Sequence, residues 1–543
     1  MKRTPVIFAA LTLAFTLLMS LPWLVPHCGW AALVGLLPLL LMERLASEYK
    51  VRHFWWWHYA AFVLWNAVTT WWVGMATVGG AVFAILANAL QMSVIFGTFR
   101  WVKRRTGGVL PYLFLAAAWL AWEKYYLTVA EISWPWLVLG NAFAGTTSLV
   151  QWYDVLGTLG GSLWVWVSNL SLFGLMVALS DGRMARWNGK ARVAAFGGTV
   201  LAILGPMVWS VIRVYQWDHE SLGQQTLNVS IIQPNFDPYQ KFESMTQAQQ
   251  DSVFLEMAGG GYTWDQEDPF STGPTLVVLP ETFTSSFFLN QVQLNDSYRR
   301  YLSWLQKNPA ATLIFGASTY DLVHSAVRPD LCAYDRGAGN WLLSHNSAIS
   351  MNATGRLSVY HKSKLVVGTE LTPYPRFFVP LENLLGGNLM GKCIGQKEIG
   401  CLSVANGNQV VPVGVPVCYE SVYGEFCAGY IRKGARLLVV ITNDAWWGNT
   451  PGYHQHFNYS RLRAIETRRA VVRCANTGLS AIINPEGQCE VSLPAWERTS
   501  LFGVVSLYSG QTFFVHYGDI VGRVSVFLFL LLLAAAVFRP KKV

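Results

Sequence analysis

Long apolar runs crowd one end of this chain and leave the other almost free of them. Eight stretches are apolar and long enough to approach the ~20 residues a helix needs to cross a bilayer. They are residues 5–25, 29–46, 54–75, 79–101, 110–127, 162–180, 194–215 and 520–538. The chain is 52% hydrophobic and 13% charged, against about 25% charged in an ordinary soluble protein. A polytopic helical membrane domain over residues 1–217 and a closing helix over 520–538 are therefore expected, with a domain of soluble composition over 226–508 between them.

Loop charge sets the expected orientation. Basic clusters flank alternate ends of these spans: "MKR" at the start, "ERLASEYKVRH" after the second, "KRR" (103–105) after the fourth, "RMARWNGKAR" (183–192) after the sixth and "RPKKV" after the eighth. The opposite loops are nearly free of lysine and arginine. The positive-inside rule places both termini in the cytoplasm and the 226–508 domain across the membrane. Trp55, Trp56 and Trp57 open the third span and Trp71 and Trp72 close it, at about the separation of two interfacial belts. The net charge of +9 is read as these orienting loops. No nucleic-acid motif and no metal-ligand spacing is visible, so no nucleic-acid partner, metal or cofactor is expected.

In the soluble domain, strands (226–235, 275–282, 311–319, a hairpin over 346–364, 409–420 and 435–447) alternate with helices (247–258, 296–308 and 456–470), the pattern of an α/β layered fold. Three strands end in reactive residues: Glu281, Lys362 and Cys418. Strand ends aim side chains into one crevice. A carboxylate can take a thiol proton and return it. A thiolate is a strong nucleophile, and an ammonium stabilises an oxyanion. The N–H of Tyr419 is the expected second oxyanion donor.

The segments "VVLPET", "YHKSKLVVGTEL", "VPVCYES" and "ITNDAWWG" resemble the nitrilase (carbon–nitrogen hydrolase) superfamily. With seven helices before the domain and one after, the chain resembles its membrane-embedded branch, the apolipoprotein N-acyltransferases. The resemblance implies an αββα sandwich with Glu281, Lys362 and Cys418 as a triad, supported by Glu370, Tyr419, Glu420, Asn443, Asp444 and Trp446. Gln233 and Asn235 match the first-strand motif, and "SWPWLVLG" (133–140) matches a motif of the membrane part. The family histidine two places after the lysine is here Lys364, and Phe242 stands where several members carry tryptophan. The implied chemistry takes an acyl chain from a phospholipid onto Cys418 as a thioester. The chain then passes to the N-terminal amine of a diacylated apolipoprotein, with the enzyme expected as a monomer in a bacterial inner membrane and its catalytic domain periplasmic.

Two other readings stand beside it: a membrane-anchored amidase that passes the acyl group to water, and a transporter or receptor whose domain only binds. Phe287, Phe288, Phe377, Phe378, Leu384, Leu385 and Leu389 are expected to form an apolar lid hinged at the paired glycines 386–387. Of the seven cysteines in the domain, Cys393 and Cys401 are the expected disulfide pair.

Overall fold

The computed structural model describes residues 4–220, 225–259, 275–384 and 390–538. Each of the eight apolar stretches is helical. Six are long and apolar enough to cross a membrane: Thr4–Leu24, Gly29–Glu48, Val78–Thr106, Tyr153–Ser180, Gly189–Trp217 and Ile520–Phe538. Phe54–Thr70 and Leu110–Thr128, of 17 and 19 residues, fall outside that set.

The second span is broken, with a 3-10 turn at Gly29–Ala31 and helices Ala32–Gly35 and Leu37–Glu48. Pro38, in the first turn of the last piece, has no N–H to continue the ladder. A broken helix leaves backbone groups without partners, which is costly where water is excluded. Asn169 of Tyr153–Ser180 repairs this break: its Oδ1 accepts from Leu36 N and its Nδ2 donates to Ala32 O, both at 2.9 Å. Tyr153–Ser180 starts earlier than the apolar pattern predicts, and Gly157 (φ 64°) interrupts it. Of the tryptophans expected at the membrane interfaces, Trp56 and Trp71 are exposed, whereas Trp72 is buried and packs on Trp136 and Trp447 at ring distances of 5.0 and 4.7 Å.

The domain between the last two spans is two sheets face to face with helices outside. One sheet has eight strands and runs along the path Thr499–Leu507, Gln225–Gln233, Thr275–Val278, Ala311–His324, Asn340–Asn352 and Tyr334–Asp335, with Thr284–Phe288 and Leu357–His361 paired to its inner strands. The other has six: Cys489–Ser492, Ala481–Ile483, Val471–Ala475, Leu437–Thr442, Gln409–Gly414 and Leu402–Asn406. Alternation along the strands builds the layers. Val229, Ile231, Leu276 and Val278 face the second sheet, against Val413, Leu438 and Val440. Ile232 and Val277 face the opposite way, against Phe254, Tyr301 and Trp304 of helices Gln247–Gly259 and Asp296–Lys307. Helices Gly424–Arg432 and Pro451–Thr467 cover the second sheet and also meet the membrane bundle.

That meeting is a continuous core. Tyr419, Val422, Tyr423, Tyr459, Leu462 and Ile465 belong to the same apolar cluster as the spanning helices. Buried ionic contacts lock it: Arg468 Nε lies 3.0 Å from Asp154 Oδ2, and Thr158 N donates to Glu466 Oε1 at 2.9 Å. Glu123 anchors the 133–140 loop by accepting from Leu139 N (2.8 Å) and Trp119 Nε1 (3.2 Å).

Candidate active site

The strand ends bring the expected residues together. Lys362 Nζ lies 3.0 Å from Glu281 Oε1 and 3.0 Å from Glu370 Oε1. Asn346, which the sequence reading missed, donates through Nδ2 to the same two oxygens at 2.8 and 2.6 Å. The backbone N–H of Asn443 donates to the other oxygen of Glu281 at 3.1 Å. The Cys418 side chain lies close enough to this carboxylate for the two to interact electrostatically. Glu281 and Lys362 are buried, while Cys418 is half-buried.

Charge sets their protonation. Burial works against an ionised Glu281, but the Lys362 ammonium, the hydrogen bonds from Lys362 and Asn346, and the nearby Cys418 hold its carboxyl below the usual range. Burial likewise opposes a charged Lys362, and Glu281 and Glu370 outweigh it, so the lysine stays cationic. Burial and the neighbouring Glu281 charge push the Cys418 thiol far up. The resting thiol is therefore neutral.

The chain turns sharply at the thiol. Cys418 has φ +52°, in the left-handed region, and begins a 3-10 turn over Cys418–Val422 rather than ending the strand, which closes at Gly414. Glu420 holds this turn. Its carboxylate accepts from Val417 N (2.8 Å), Ser363 N (2.6 Å), Lys364 N (3.1 Å) and Tyr360 Oη (2.7 Å). Beneath the turn, His456 Nε2 meets the Cys418 carbonyl at 3.1 Å, and its Nδ1 meets Asp444 Oδ1 at 2.9 Å. Burial opposes an ionised Asp444, but Arg473 and His456 hold its carboxyl far below the usual range. Asp444 thus sits under Cys418 rather than in the crevice.

The remaining sequence candidates separate. Lys364 turns away from Glu281: its Nζ donates to Thr128 O at 3.3 Å and lies over the Tyr423 ring. Trp446 is partly exposed and stacks on Phe242 at 5.9 Å. Gln233 and Asn235 brace the loop after the second sheet through Pro494 O and Trp496 O. Lys241, a second residue the sequence reading missed, is buried and donates to Glu281 O (3.3 Å) and Thr282 Oγ1 (3.1 Å), and burial lowers its pKa to about 7. Neither Lys241 nor Asn346 lies at a strand end, which is where the search for reactive residues was made.

Two expectations are corrected. Phe287 is fully buried against Phe315, because it occupies an inward position of strand Thr284–Phe288, so it belongs to no lid. Phe288 stacks on Tyr320. Phe377 and Leu384 are exposed on helix Pro375–Leu384, with Phe378 beside Phe377, whereas Leu385, Leu389 and the paired glycines lie outside the described residues. The Cys393–Cys401 disulfide is absent: all eight cysteines are free thiols, and these two face Ser344 and Tyr430 O respectively.

A cavity of about 180 Å³ opens at Cys418, between the 418–422 turn and the helical bundle. Its walls are almost wholly apolar, including Phe83, Ala84 and Ala87 of Val78–Thr106, Trp134 and Trp136 of the 133–140 loop, and Val366. The membrane part fixes the turn from this side, since Tyr419 Oη donates to Ser133 O at 2.9 Å and Tyr423 Oη meets Ser133 Oγ at 2.7 Å.

Two sheets packed face to face with helices outside form an α/β sandwich, and the family comparison matches this part of the chain to the carbon–nitrogen hydrolases. The chain belongs to that family, whose model matches residues 214–511. The membrane part narrows the placement: residues 15–171 match the apolipoprotein N-acyltransferase N-terminal domain. Over nearly its whole length the chain is similar to the apolipoprotein N-acyltransferase of Chlorobaculum tepidum, at 27% identity over 92% of this chain and 91% of that one. The enzyme of the same name from Pseudomonas syringae is 28% identical over 84% of this chain and 83% of its own. Among solved structures, a CN-hydrolase superfamily protein from Xanthomonas campestris aligns with 52% of this chain and 91% of its own, at 18% identity and a TM-score of 0.34.

Proposed function

We propose that this chain is a membrane N-acyltransferase. It moves a fatty acyl group from a phospholipid, through a thioester on Cys418, to the N-terminal amine of a diacylglyceryl-cysteine apolipoprotein. The observation that carries this reading is the position of the Cys418 thiol, which faces the Glu281 carboxylate on one side and an apolar, bundle-walled cavity on the other. An acyl chain lying in that cavity brings its ester carbonyl to the sulfur. The relatives that match over most of the chain are named for this transfer.

In the first half-reaction, Glu281 takes the thiol proton as Sγ attacks the ester carbonyl carbon. The oxyanion is held by the Lys362 ammonium and the Tyr419 N–H. Collapse breaks the ester C–O bond, and Glu281 returns the proton to the departing lysophospholipid oxygen. In the second, the acceptor amine attacks the thioester carbon, Glu281 takes the amine proton, the C–S bond breaks and the proton returns to sulfur. Glu370 and Asn346 keep the ammonium and the carboxylate in place throughout.

Orientation follows the same reading. Arg44 pairs with Asp181, Lys103 with Glu43, and Arg105 Nη1 reaches Val537 O, so the basic loops gather at one end of the bundle. We assign that end to the cytoplasm of a bacterial inner membrane and the catalytic domain to the periplasm. We assign the enzyme as a monomer.

Mass spectrometry of the purified protein incubated with phospholipid tests the reaction. An acyl mass on the Cys418 peptide, discharged by a diacylated lipopeptide with amide formation, is the expected result. Release of free fatty acid with no acyl-enzyme, or no reaction at all, overturns it.

A further inference from the structure

Asp321, His345 and His361 lie on three adjacent strands of the eight-stranded sheet, Ala311–His324, Asn340–Asn352 and Leu357–His361. The register pairs Thr319 with His345 and Ser347 with His361, so the three side chains form a diagonal across one face. One donor atom from each lies within 4.8 Å of the others. The imidazoles stack at 4.1 Å, and His345 Nε2 is 3.7 Å from Asp321 Oδ2.

The second ring nitrogens are already engaged. His345 Nδ1 donates to Ile394 O at 2.7 Å, and a carbonyl only accepts, so the lone pair of that ring sits on Nε2, toward Asp321. His361 Nδ1 bonds Ser347 Oγ at 2.7 Å, and Ser347 in turn bonds Thr319 at 2.6 Å. Histidines that hold metals are oriented in this way, by a partner on the nitrogen that does not ligate. We propose that Asp321, His345 and His361 form a zinc site with water as the fourth ligand. Two histidines and one carboxylate suit Zn²⁺, whose tetrahedral ligand atoms stand roughly 3.3 Å apart. His345 and Asp321 stand 3.7 Å apart and every pair lies within 4.8 Å, so binding draws the three side chains together by rotation.

The location gives the site a consequence. His345 is followed by Asn346 and His361 by Lys362, and successive strand residues point to opposite faces. The two strands are also tied there by Lys362 N donating to Asn346 O at 2.8 Å. An ion on one face thus braces the backbone whose other face carries the groups that hold Glu281 and Glu370.

The full-length protein in detergent, stripped with a chelator and dialysed against Zn²⁺ or Co²⁺, tests this. The wild type is expected to retain one equivalent of metal by elemental analysis and to melt several degrees higher with Zn²⁺ than without. Its Co²⁺ form should show tetrahedral visible bands and no sulfur-to-metal charge transfer. Asp321→Asn and His361→Asn should each lose the bound metal and the melting shift while still forming the Cys418 acyl-enzyme in chelator. No retained metal in the wild type, or equal retention in both variants, overturns the site. A sulfur charge-transfer band does so too, by placing the ion at the separate Cys418, Asp444 and His456 group.

Discussion

Glu420 and Ser363 are joined by a 2.6 Å hydrogen bond from the serine N–H to the glutamate carboxylate. It fastens the turn that carries Cys418 to the segment that carries Lys362. Glu420→Gln sets an amide N–H₂ among backbone donors, which costs roughly 1–3 kcal/mol. Acyl-enzyme formation is expected to slow at least about tenfold, an energy of about 1.4 kcal/mol, in rapid-quench measurements on a folded variant.

The same residue gives a pH dependence of stability. Burial raises the Glu420 pKa to about 7, above its unfolded value of 4.5. Between those values the folded state binds the extra proton, so stability falls as pH rises. The contribution is complete below pH 4.5 and lost as pH climbs through about 7. Thermal unfolding of the wild type should weaken across this window, and Glu420→Gln should flatten it. An unchanged slope in the variant would assign the effect elsewhere.

Glu281 has the opposite sign. Its carboxyl is held below the usual range, so its ionised form and the stability it contributes persist above pH 4.5 and are lost only as pH falls further. Cys418, pushed up by burial and by Glu281, stays a thiol through neutrality. Iodoacetamide labelling of Cys418 should therefore show no thiolate wave between pH 6 and 9, as judged against the ordinary cysteine pKa of about 8.5. Such a wave would mean that the proton does not pass through Glu281.

Asn346 donates to both carboxylates that flank Lys362. Asn346→Ala is expected to lower the rate of thioester formation roughly 10- to 100-fold with little change in phospholipid KM, since the side chain touches no part of the cavity. A rise in KM at unchanged kcat would remove its positioning role.

Ala84 and Ala87 line the cavity at Cys418. Ala84→Phe or Ala87→Phe should slow transfer from long-chain phospholipids more than from short-chain ones, in competition assays read by mass spectrometry. Equal slowing would place the acyl chain elsewhere. Phe377 and Phe378 remain as lid candidates, and serine at both should slow acyl-enzyme formation while the melting temperature holds. Phe287→Ala, by contrast, should cost about 3–5 kcal/mol of stability.

Much of this was legible beforehand because its signals are local. Glu281, Lys362 and Cys418 each follow a strand-like run, and each apolar stretch announces helical structure. What escaped is set by tertiary register. Phe287 and Phe288 look alike in sequence, but strand parity buries one fully and leaves the other half-buried against Tyr320. Asn346 and Lys241 sit in unremarkable polar contexts, and only the pairing of strands brings them to Glu281. Trp72 reads as an interface anchor, but the helix ends at Thr70 and turns that ring inward toward Trp447. Cys393 and Cys401 are near in sequence but face different neighbours.

The hydrogen bond from Tyr419 to Ser133 puts the nucleophile's neighbour in the hands of the first half of the chain. Under the proposed transfer, bond making rests on the soluble domain, while residues 73–136 supply much of the wall against which the acyl tail lies. A chimera carrying a relative's residues 73–140 on this catalytic domain should inherit the relative's tail preference while keeping this chain's proton chemistry. Variation among such enzymes can therefore alter the two properties independently, as two inherited traits meeting at one sulfur atom.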